Sequence, residues 1–141
     1  MLTGIPKCLS PDLLKVLSEM GHGDELVLAD AHYPAASNAR LLVRADGIGI
    51  PELLDATLGL IPLDQYVEQP VALMKTVGGD PTPEIWDEYR KIIRRHEGRS
   101  SIEYMERMNF YERGRRAYAI VATGEEAICA NVILKKGVVG R

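Results

Sequence analysis

Four consecutive apolar residues, Leu26 to Ala29, stand between a helical pattern and Asp30. A strand with one face in water alternates apolar and polar residues, whereas a strand covered on both faces is apolar throughout. The run therefore predicts a strand that is buried on both faces of a sheet. Helices have to cover both faces of such a sheet, so the run indicates an α/β fold.

Helical and strand patterns alternate along the rest of the chain. Ser10-Pro11-Asp12 combines an N-cap, a proline at the first helical position and an acid in the first turn, and an apolar stripe follows as far as Met20. Two further helices are predicted to begin at Pro51 and at Thr82-Pro83, the second ending at Gly98. We predict further strands over residues 71–77, 118–123 and 132–134, and we expect the last two to pair as a hairpin.

The composition narrows the classes of function. The 17 basic and 20 acidic side chains leave a net charge of −3, which provides no long-range attraction for nucleic acid or an anionic membrane. The first ten residues lack the apolar core of a signal peptide, and no stretch approaches the ~20 apolar residues that span a bilayer. We expect a cytoplasmic protein with one domain over residues 1–141, in which Cys8 and Cys129 are free thiols.

His22 is the first candidate for acid or base chemistry. It stands between Gly21 and Gly23 in the turn that joins the first helix to the first strand, where little side-chain bulk shields the ring. An imidazole in an accessible position can donate or accept a proton near neutral pH. The alternative is a histidine at a helix C-terminus that only complements the helix dipole.

Asp30 follows the apolar strand, at the end of the sheet that commonly faces a ligand in open α/β folds. Its carboxylate can accept hydrogen bonds from sugar hydroxyls, and Tyr33 could stack on a sugar face. Alternatively, Asp30 caps the next turn through its own backbone. We assign no role to His32 or His96, and their spacing does not indicate a metal site.

Arginine and asparagine side chains supply candidates for orienting a ligand. Arg107 or Arg113 could hold vicinal hydroxyls with a guanidinium group, although both could equally be surface residues paired with nearby glutamates. Asn131, just before the last strand, can both donate and accept hydrogen bonds. The sequence contains no P-loop, no Rossmann glycine fingerprint and no Gly-x-Ser-x-Gly motif, which argues against nucleotide and acyl chemistry.

Five segments carry a family resemblance, and the most specific features are the Gly-His-Gly-Asp turn and the later Asp-Ala-His. Together the segments resemble the RbsD/FucU family of bacterial ribose pyranases and fucose mutarotases, and the resemblance runs from end to end. It implies a three-layer fold with a mixed, mostly parallel sheet flanked by helices. The segments are residues 9–17, 19–25, 30–34, 110–113 and 133–137.

The resemblance also implies roles for particular residues. His22 is expected to be the proton donor and Asp30 a sugar ligand, while the tripeptide Cys129-Ala130-Asn131 completes the pocket. An arginine at position 107 resembles the fucose branch of the family and favours a fucose-like sugar. The family tripeptide usually begins with tyrosine, so Cys129 is a departure that removes a phenol from the pocket. No metal or organic cofactor is implied.

The expected function is interconversion of the α and β anomers of a free monosaccharide, most consistent with L-fucose. The alternatives are a ribose-type pyranase, a non-catalytic monosaccharide-binding protein and, less favoured by the acidic net charge, a sugar-phosphate isomerase. If residues 25–29 are extended, His22 and Asp30 lie roughly 20 Å apart at opposite ends of one strand. We therefore expect a homo-oligomer, a ring like those of the bacterial relatives, with pockets between subunits.

Overall fold

The computed structural model describes residues 1–140. Over these residues all helices and strands are arranged around one sheet. In chain order, the elements are α1 (Pro11–Glu19), β1 (Glu25–Ala29), α2 (Ala35–Asn38), β2 (Leu42–Ala45), α3 (Ile50–Leu58), β3 (Val71–Met74), α4 (Ile85–Glu97), β4 (Ile102–Met105), α5 (Arg107–Arg116), β5 (Ala119–Thr123) and β6 (Val132–Lys135).

The six strands lie in the order β2-β5-β1-β6-β3-β4. The pairs β2–β5, β5–β1 and β3–β4 are parallel, whereas β6 runs antiparallel to both of its neighbours, β1 and β3. Five strands therefore point one way and β6 points the other. The prediction of a mixed, mostly parallel sheet is confirmed.

Helices cover both faces of this sheet, which gives three layers. α1, α3 and α4 pack on one face, and α2 and α5 pack on the other. Along β1, Leu26 and Leu28 point to the first face while Val27 and Ala29 point to the second, and all four are fully buried. The prediction of a strand buried on both faces is confirmed, because a layer of helices covers each face of β1.

The predicted hairpin between β5 and β6 is wrong, because β1 lies between these two strands. The connection over residues 124–131 crosses the end of β1 instead of turning back. Glu125 fixes this crossing: its backbone carbonyl accepts the Ala31 N–H at 2.7 Å, and its carboxylate accepts the Ile50 N–H at the start of α3 at 3.1 Å. Eight residues can step across one strand, so a short loop did not require a hairpin.

The predicted helix ends agree with the structure more closely than the other predicted bounds do. Ser10 caps α1 by accepting the Leu13 N–H at 3.1 Å, and Gly98 ends α4 with a left-handed backbone, as predicted. The strand expected over residues 71–77 is shorter, and α4 begins just after Pro83, at Ile85. The segment from Arg107 is helix α5, which the sequence analysis does not predict because only Phe110 and Gly114 are buried in it and the apolar pattern is weak. No helix within residues 1–140 is long and apolar enough to cross a bilayer.

Candidate active site

One end of the sheet, called here the carboxyl edge, is where β1, β3 and β5 end and the antiparallel β6 begins. Asp30 directly follows β1, and Asn131 directly precedes β6, so the opposed strand directions bring them together. The Asp30 N–H donates to Asn131 Oδ1 at 2.7 Å. Both side chains are buried, with 5% and 3% of their surface exposed. Because Asn131 Oδ1 is used in this contact, its amide nitrogen remains available to donate to a ligand.

The carboxylate of Asp30 is held by backbone amides. Its Oδ1 accepts the His32 N–H at 3.0 Å. Burial raises the pKa of Asp30, and hydrogen bonds from the amides of His32, Ala130 and Tyr33 partly oppose that rise. An anchored, largely desolvated carboxylate is a strong acceptor for a sugar hydroxyl, because no ordering of the side chain is needed on binding.

A small cavity of about 180 Å³ opens at this edge. The wall combines polar groups with apolar and aromatic side chains. The lining residues are Asp30, His32, Tyr33, Met74, Tyr111, Ile128, Cys129 and Asn131.

Cys129 has a left-handed backbone at φ 52°, and within residues 1–140 it is the only non-glycine residue with a positive φ. Such a conformation costs on the order of 1–3 kcal/mol and persists only where the surroundings hold it. The Trp86 indole N–H donates to the Cys129 carbonyl at 2.9 Å, and the Tyr89 hydroxyl donates to the Ala130 carbonyl at 2.7 Å. Two side chains of α4 therefore fix the tripeptide that lines the cavity.

The thiol of Cys129 does not provide a reactive group at neutral pH. Its Sγ lies 3.8 Å from the Lys75 carbonyl oxygen. Burial and the nearby carboxylates of Asp30 and Asp80 raise the pKa of the thiol. The side chain stays protonated, so it offers the cavity a small and weakly hydrogen-bonding surface in place of a phenol.

His22 lies at the opposite end of the sheet, called here the amino edge. Its Nε2 is 2.8 Å from Asp64 Oδ1, and the same Asp64 oxygen accepts the Tyr66 N–H at 3.0 Å. The Tyr66 ring lies beside the imidazole with ring centroids 5.3 Å apart. The His22 side chain is 45% exposed, whereas Asp64 is buried. The imidazole is therefore held from the protein side and presents its other nitrogen to solvent.

The charge of Asp64 determines what His22 can do. Burial acts to raise the pKa of Asp64, but the hydrogen bonds from the Tyr66 amide and the His22 ring outweigh it, and the pKa is lowered. Asp64 is consequently ionised at neutral pH and accepts a proton-bearing Nε2, which assigns the tautomer of His22. Nδ1 forms no hydrogen bond with other residues in the range 1–140, so it is the ring nitrogen that remains available to a ligand.

One chain does not bring His22 and Asp30 together. The five residues of β1 lie between them, and at ~3.3 Å per residue they separate the two edges by roughly 17 Å. His22 is absent from the residues that line the cavity beside Asp30. The separation that the sequence predicts is confirmed.

The two candidate arginines have different environments. Arg113 lies in the last turn of α5, where its Nε donates to Glu25 Oε2 at 3.0 Å and its guanidinium also contacts Glu103. Both of its partners are on the sheet, so Arg113 fastens α5 to β1 and β4 and is not free to orient a sugar. Arg107 begins α5 at the carboxyl edge, is exposed, and forms no hydrogen bond or ion pair with other residues in the range 1–140.

Tyr33 cannot offer its face to a sugar, contrary to the sequence interpretation. Its ring packs edge-on against Phe110 and Tyr111, with centroids 6.1 and 5.2 Å away. Its hydroxyl is buried against Gly114 and has no hydrogen-bond partner, and burial raises the pKa of Tyr33 to about 12. Tyr111, which is only half-buried, is the aromatic side chain in the cavity that remains accessible to a ligand.

The family model of the RbsD / FucU transport protein family matches residues 3–139. The chain belongs to the RbsD/FucU family. Human fucose mutarotase is 50% identical to it over 145 residues, which cover 97% of this chain and 94% of the human protein. L-fucose mutarotase of Actinobacillus pleuropneumoniae serotype 5b (strain L20) is 51% identical over 140 residues, covering 98% and 97% of the two chains.

Solved structures of RbsD/FucU proteins have the same fold. The fucose mutarotase of Streptococcus pneumoniae, solved in complex with L-fucose, superposes with a TM-score of 0.96 at 58% identity, over 98% of this chain and 99% of its own. Bacillus subtilis RbsD, complexed with D-ribose, superposes with a TM-score of 0.74 at 24% identity and covers 99% of both chains. The second likeness establishes the shared fold alone.

Sequence reasoning assigned no role to four side chains of this candidate site: Asp64, His32, Met74 and Ile128. Asp64 lies 42 positions from His22, and no fixed spacing connects a turn after a helix with a loop on the far side of β6. Met74 has the pattern of any other residue of a buried strand, and Ile128 lies in the loop between β5 and β6, which has no periodic pattern. Within residues 1–140, no three His, Cys, Asp or Glu side chains come together in a way that could hold a metal ion.

Proposed function

We propose that this RbsD/FucU protein is a mutarotase that interconverts the α and β anomers of free L-fucose. Relatives named fucose mutarotase are about half identical to it over nearly its whole length, and one of them was solved with L-fucose bound. The acidic net charge and a cavity wall that mixes hydroxyl acceptors with apolar side chains suit a neutral deoxysugar.

The observation that carries this proposal is the pair formed by His22 and the buried Asp64. A protein that only binds a sugar needs hydrogen-bond donors and acceptors, but it does not need an imidazole whose tautomer is set by a carboxylate. An oriented imidazole with one free nitrogen is the arrangement of a general acid and base. His22 is therefore assigned the proton donor of the reaction.

Ring opening requires two proton transfers, reclosure reverses both of them, and the reaction has no net change in atoms. His22, protonated at Nδ1, gives its proton to the ring oxygen, while the anomeric hydroxyl loses its proton to a base, and the bond from C1 to the ring oxygen breaks. The open aldehyde rotates about its C1–C2 bond. The former ring oxygen then attacks the other face of the aldehyde, returning its proton to His22 as the new anomeric oxygen is protonated. Asp30, with a pKa raised by burial, is the carboxylate suited to act as that base.

The remaining site residues hold the sugar. Asp30 accepts hydrogen bonds from hydroxyls, Asn131 donates with its amide nitrogen, and the backbone of Cys129 and Ala130 forms one wall. Arg107, exposed at the same edge, can close over vicinal hydroxyls with its guanidinium fork. A positioned acid and base contribute ~10²- to 10⁴-fold to a rate, which suffices for a reaction that already proceeds slowly in water.

We further propose that each active site combines two chains. His22 and Asp64 at the amino edge of one subunit would complete the cavity beside Asp30 on the carboxyl edge of its neighbour. Such a contact joins two different surfaces, so repeating it generates a ring if the rotation closes. The cavity beside Asp30 in one chain is lined by neither His22 nor Asp64, so the proposed proton donor has to come from a second chain.

Exposed apolar residues at both edges support this assembly. At the amino edge, Leu60 and Val139 border the same groove. At the carboxyl edge, Ile128 lines the cavity, and Val77 and Met108 follow the ends of β3 and β4. Apolar side chains that are more than a third exposed on two opposite surfaces are typical of a face covered by another copy of the chain.

The test is NMR measurement of anomer exchange in L-fucose, with D-ribose as the comparison sugar, in the presence of the parent protein and of His22→Ala. We expect the parent to accelerate exchange of L-fucose and the variant to lose this acceleration while keeping its fold and its affinity for L-fucose. His96→Gln is the matched control, because His96 pairs with Asp55 between α3 and α4, and neither of these residues bonds to His22 or Asp64.

Other outcomes would redirect the proposal. Binding of L-fucose by the parent without any acceleration of exchange would indicate a sugar-binding protein. Acceleration confined to the pyranose and furanose forms of D-ribose would indicate a pyranase. Equal exchange by His22→Ala and the parent would remove His22 from the mechanism.

A further inference from the structure

Two aromatic residues of α4 hold the segment Cys129–Asn131 at the carboxyl edge. We propose that Trp86 and Tyr89 are positioning residues of the sugar site, acting through this segment on the contact between Asn131 and Asp30. The inference rests on the proposed function, because it assigns these side chains to the binding of the sugar in that same site.

The donors converge on two consecutive carbonyl groups. The Trp86 indole donates to the Cys129 carbonyl at 2.9 Å and the Tyr89 hydroxyl to the Ala130 carbonyl at 2.7 Å. Both side chains are buried and lie three positions apart, on one face of α4. Neither carbonyl belongs to the ladder with β1, whose pairing begins at Val132. The aromatic side chains thus supply the hydrogen bonds that the sheet does not.

The same segment contains the strained backbone of the structure. Cys129 adopts φ 52°, a conformation that an L-residue with a side chain adopts only when it is held there. Without the two donors, Cys129 would relax to a negative φ, and the peptides that follow it would rotate. Asn131 would then move away from the Asp30 N–H, to which its Oδ1 is bonded at 2.7 Å.

Packing alone does not explain why these two residues are donors. α4 is already anchored by Ile85, Ile92 and Ile93, which lie in the core between it and the sheet. Burial of an aromatic ring needs neither the indole N–H nor the phenol O–H, and each polar group has to be desolvated to reach its position. Their common target is the tripeptide that lines the cavity, which assigns them to the geometry of the site.

The experiment compares Tyr89→Phe with the parent in L-fucose exchange measured over a range of sugar concentrations. We expect KM to rise about tenfold, as for the loss of one well-placed polar contact. We expect kcat to fall less than that, because the Asp30 carboxylate keeps its bond from the His32 amide and His22 is held by Asp64, outside the segment that moves. Tyr104→Phe is the matched control: it removes a phenol hydroxyl bonded to an α4 residue, Arg90, but keeps the ring that packs beside Trp86, and position 104 lies outside the cavity. Its KM should equal that of the parent.

A second variant separates positioning from general stability. Glycine adopts a positive φ readily. In Cys129→Gly the backbone at position 129 should therefore depend less on the hydrogen bonds from Trp86 and Tyr89. The rise in KM caused by Tyr89→Phe should be several-fold smaller in the Cys129→Gly background than in the parent. Thermal unfolding and assembly are measured for every variant, and Trp86→Phe replaces Tyr89→Phe if the latter does not assemble.

Each result has a definite meaning. Tyr89→Phe with a lower melting temperature but an unchanged KM, or an equal rise in KM in both backgrounds, would overturn the positioning role. A parent protein that does not exchange L-fucose would instead overturn the proposed function, so the two failures are distinguishable.

Discussion

Asp64 determines which nitrogen of His22 is available for the proposed proton transfer. Its carboxylate takes Nε2 at 2.8 Å and leaves Nδ1 for proton transfer. Replacement by asparagine keeps the shape of the side chain but removes the charge that stabilises the imidazolium. Proton transfer by His22 is therefore expected to depend on the charge of residue 64 more than on its size.

We expect Asp64→Asn to lower kcat for L-fucose exchange roughly 10²-fold or more, with a smaller effect on KM, because the imidazole loses its charged partner. The control is Asp87→Asn, which removes an exposed carboxylate paired with Arg90 on α4. Exchange measured by NMR for the three proteins checks the prediction. A kcat equal to that of the parent would mean that Asp64 does not tune His22.

The charge of Asp30 is expected to favour sugar binding but to lower the stability of the folded protein. Burial raises its pKa in the folded protein, so the folded state binds this proton more tightly than the unfolded chain does. Its effect on stability is therefore most favourable at low pH and becomes less favourable as the pH rises from about 3.9, the ordinary value, through the raised pKa. At neutral pH the buried, charged carboxylate destabilises the folded state.

Asp30→Asn should consequently raise the melting temperature at pH 7 relative to the parent, and the difference should be smaller at pH 4. The neutral side chain can still accept the His32 N–H, but it loses the charged acceptor for sugar hydroxyls, so affinity for L-fucose should fall. Thermal unfolding at both pH values, together with a binding titration, tests both parts. A variant that is less stable than the parent at both pH values would contradict the assigned cause.

At the level of secondary structure, the packing of α5 on the sheet depends on the absence of a side chain at Gly114. A Cβ at this position would lie 2.2 Å from the hydroxyl of Tyr33 and 3.5 Å from its ring carbon. The ring cannot move aside easily, because Phe110 and Tyr111 contact it. The close approach of α5 to the Tyr33 ring therefore requires glycine at position 114.

Gly114→Ala should lower the melting temperature, although alanine in a helix interior normally stabilises by about 0.5–1 kcal/mol relative to glycine. Combining it with Tyr33→Phe removes the atom at 2.2 Å and leaves an ordinary contact. The double variant should recover the melting temperature of the parent or exceed it, since the buried Tyr33 hydroxyl has no hydrogen-bond partner. Failure of the double variant to recover would show that the clash is not the cause.

For the whole molecule, the central feature is the separation of His22 from Asp30 by the length of β1. If each site takes His22 from one subunit and Asp30 from its neighbour, two inactive variants can complement each other. Co-assembled His22→Ala and Asp30→Asn chains should form intact sites at about a quarter of the interfaces, as random mixing in a ring of head-to-tail contacts requires.

The measurement is L-fucose exchange by each variant alone and by the mixture after subunit exchange. Each variant alone should be inactive, and the mixture should recover roughly a quarter of the parent rate. Light scattering on the same samples gives the assembly state. A mixture that stays inactive although it co-assembles would place both residues of a site in one chain, and a fully active monomer would remove the need for assembly.

Local physical rules determined much of this protein from its sequence. The apolar run ending at Asp30 predicts a strand covered on both faces, because an all-apolar strand cannot leave a face in water. Ser10-Pro11 and Gly98 mark helix ends through capping and backbone freedom, which are local effects. Local position and chemistry made His22 and Asp30 candidates, and the family resemblance gave them expected roles. The length of the strand between them predicted that they lie far apart.

The tertiary structure decided what depends on contacts between distant segments. The partnership of Asp64 with His22, the place of β6 between β1 and β3, and the clamping of Cys129 by α4 each join residues that no local pattern relates. Helix α5 escaped detection because one buried aromatic residue and one glycine give almost no periodic signal. These tertiary contacts depend on the free energy of the whole packed chain. They can therefore be identified only from a structure in which the distant segments are in contact.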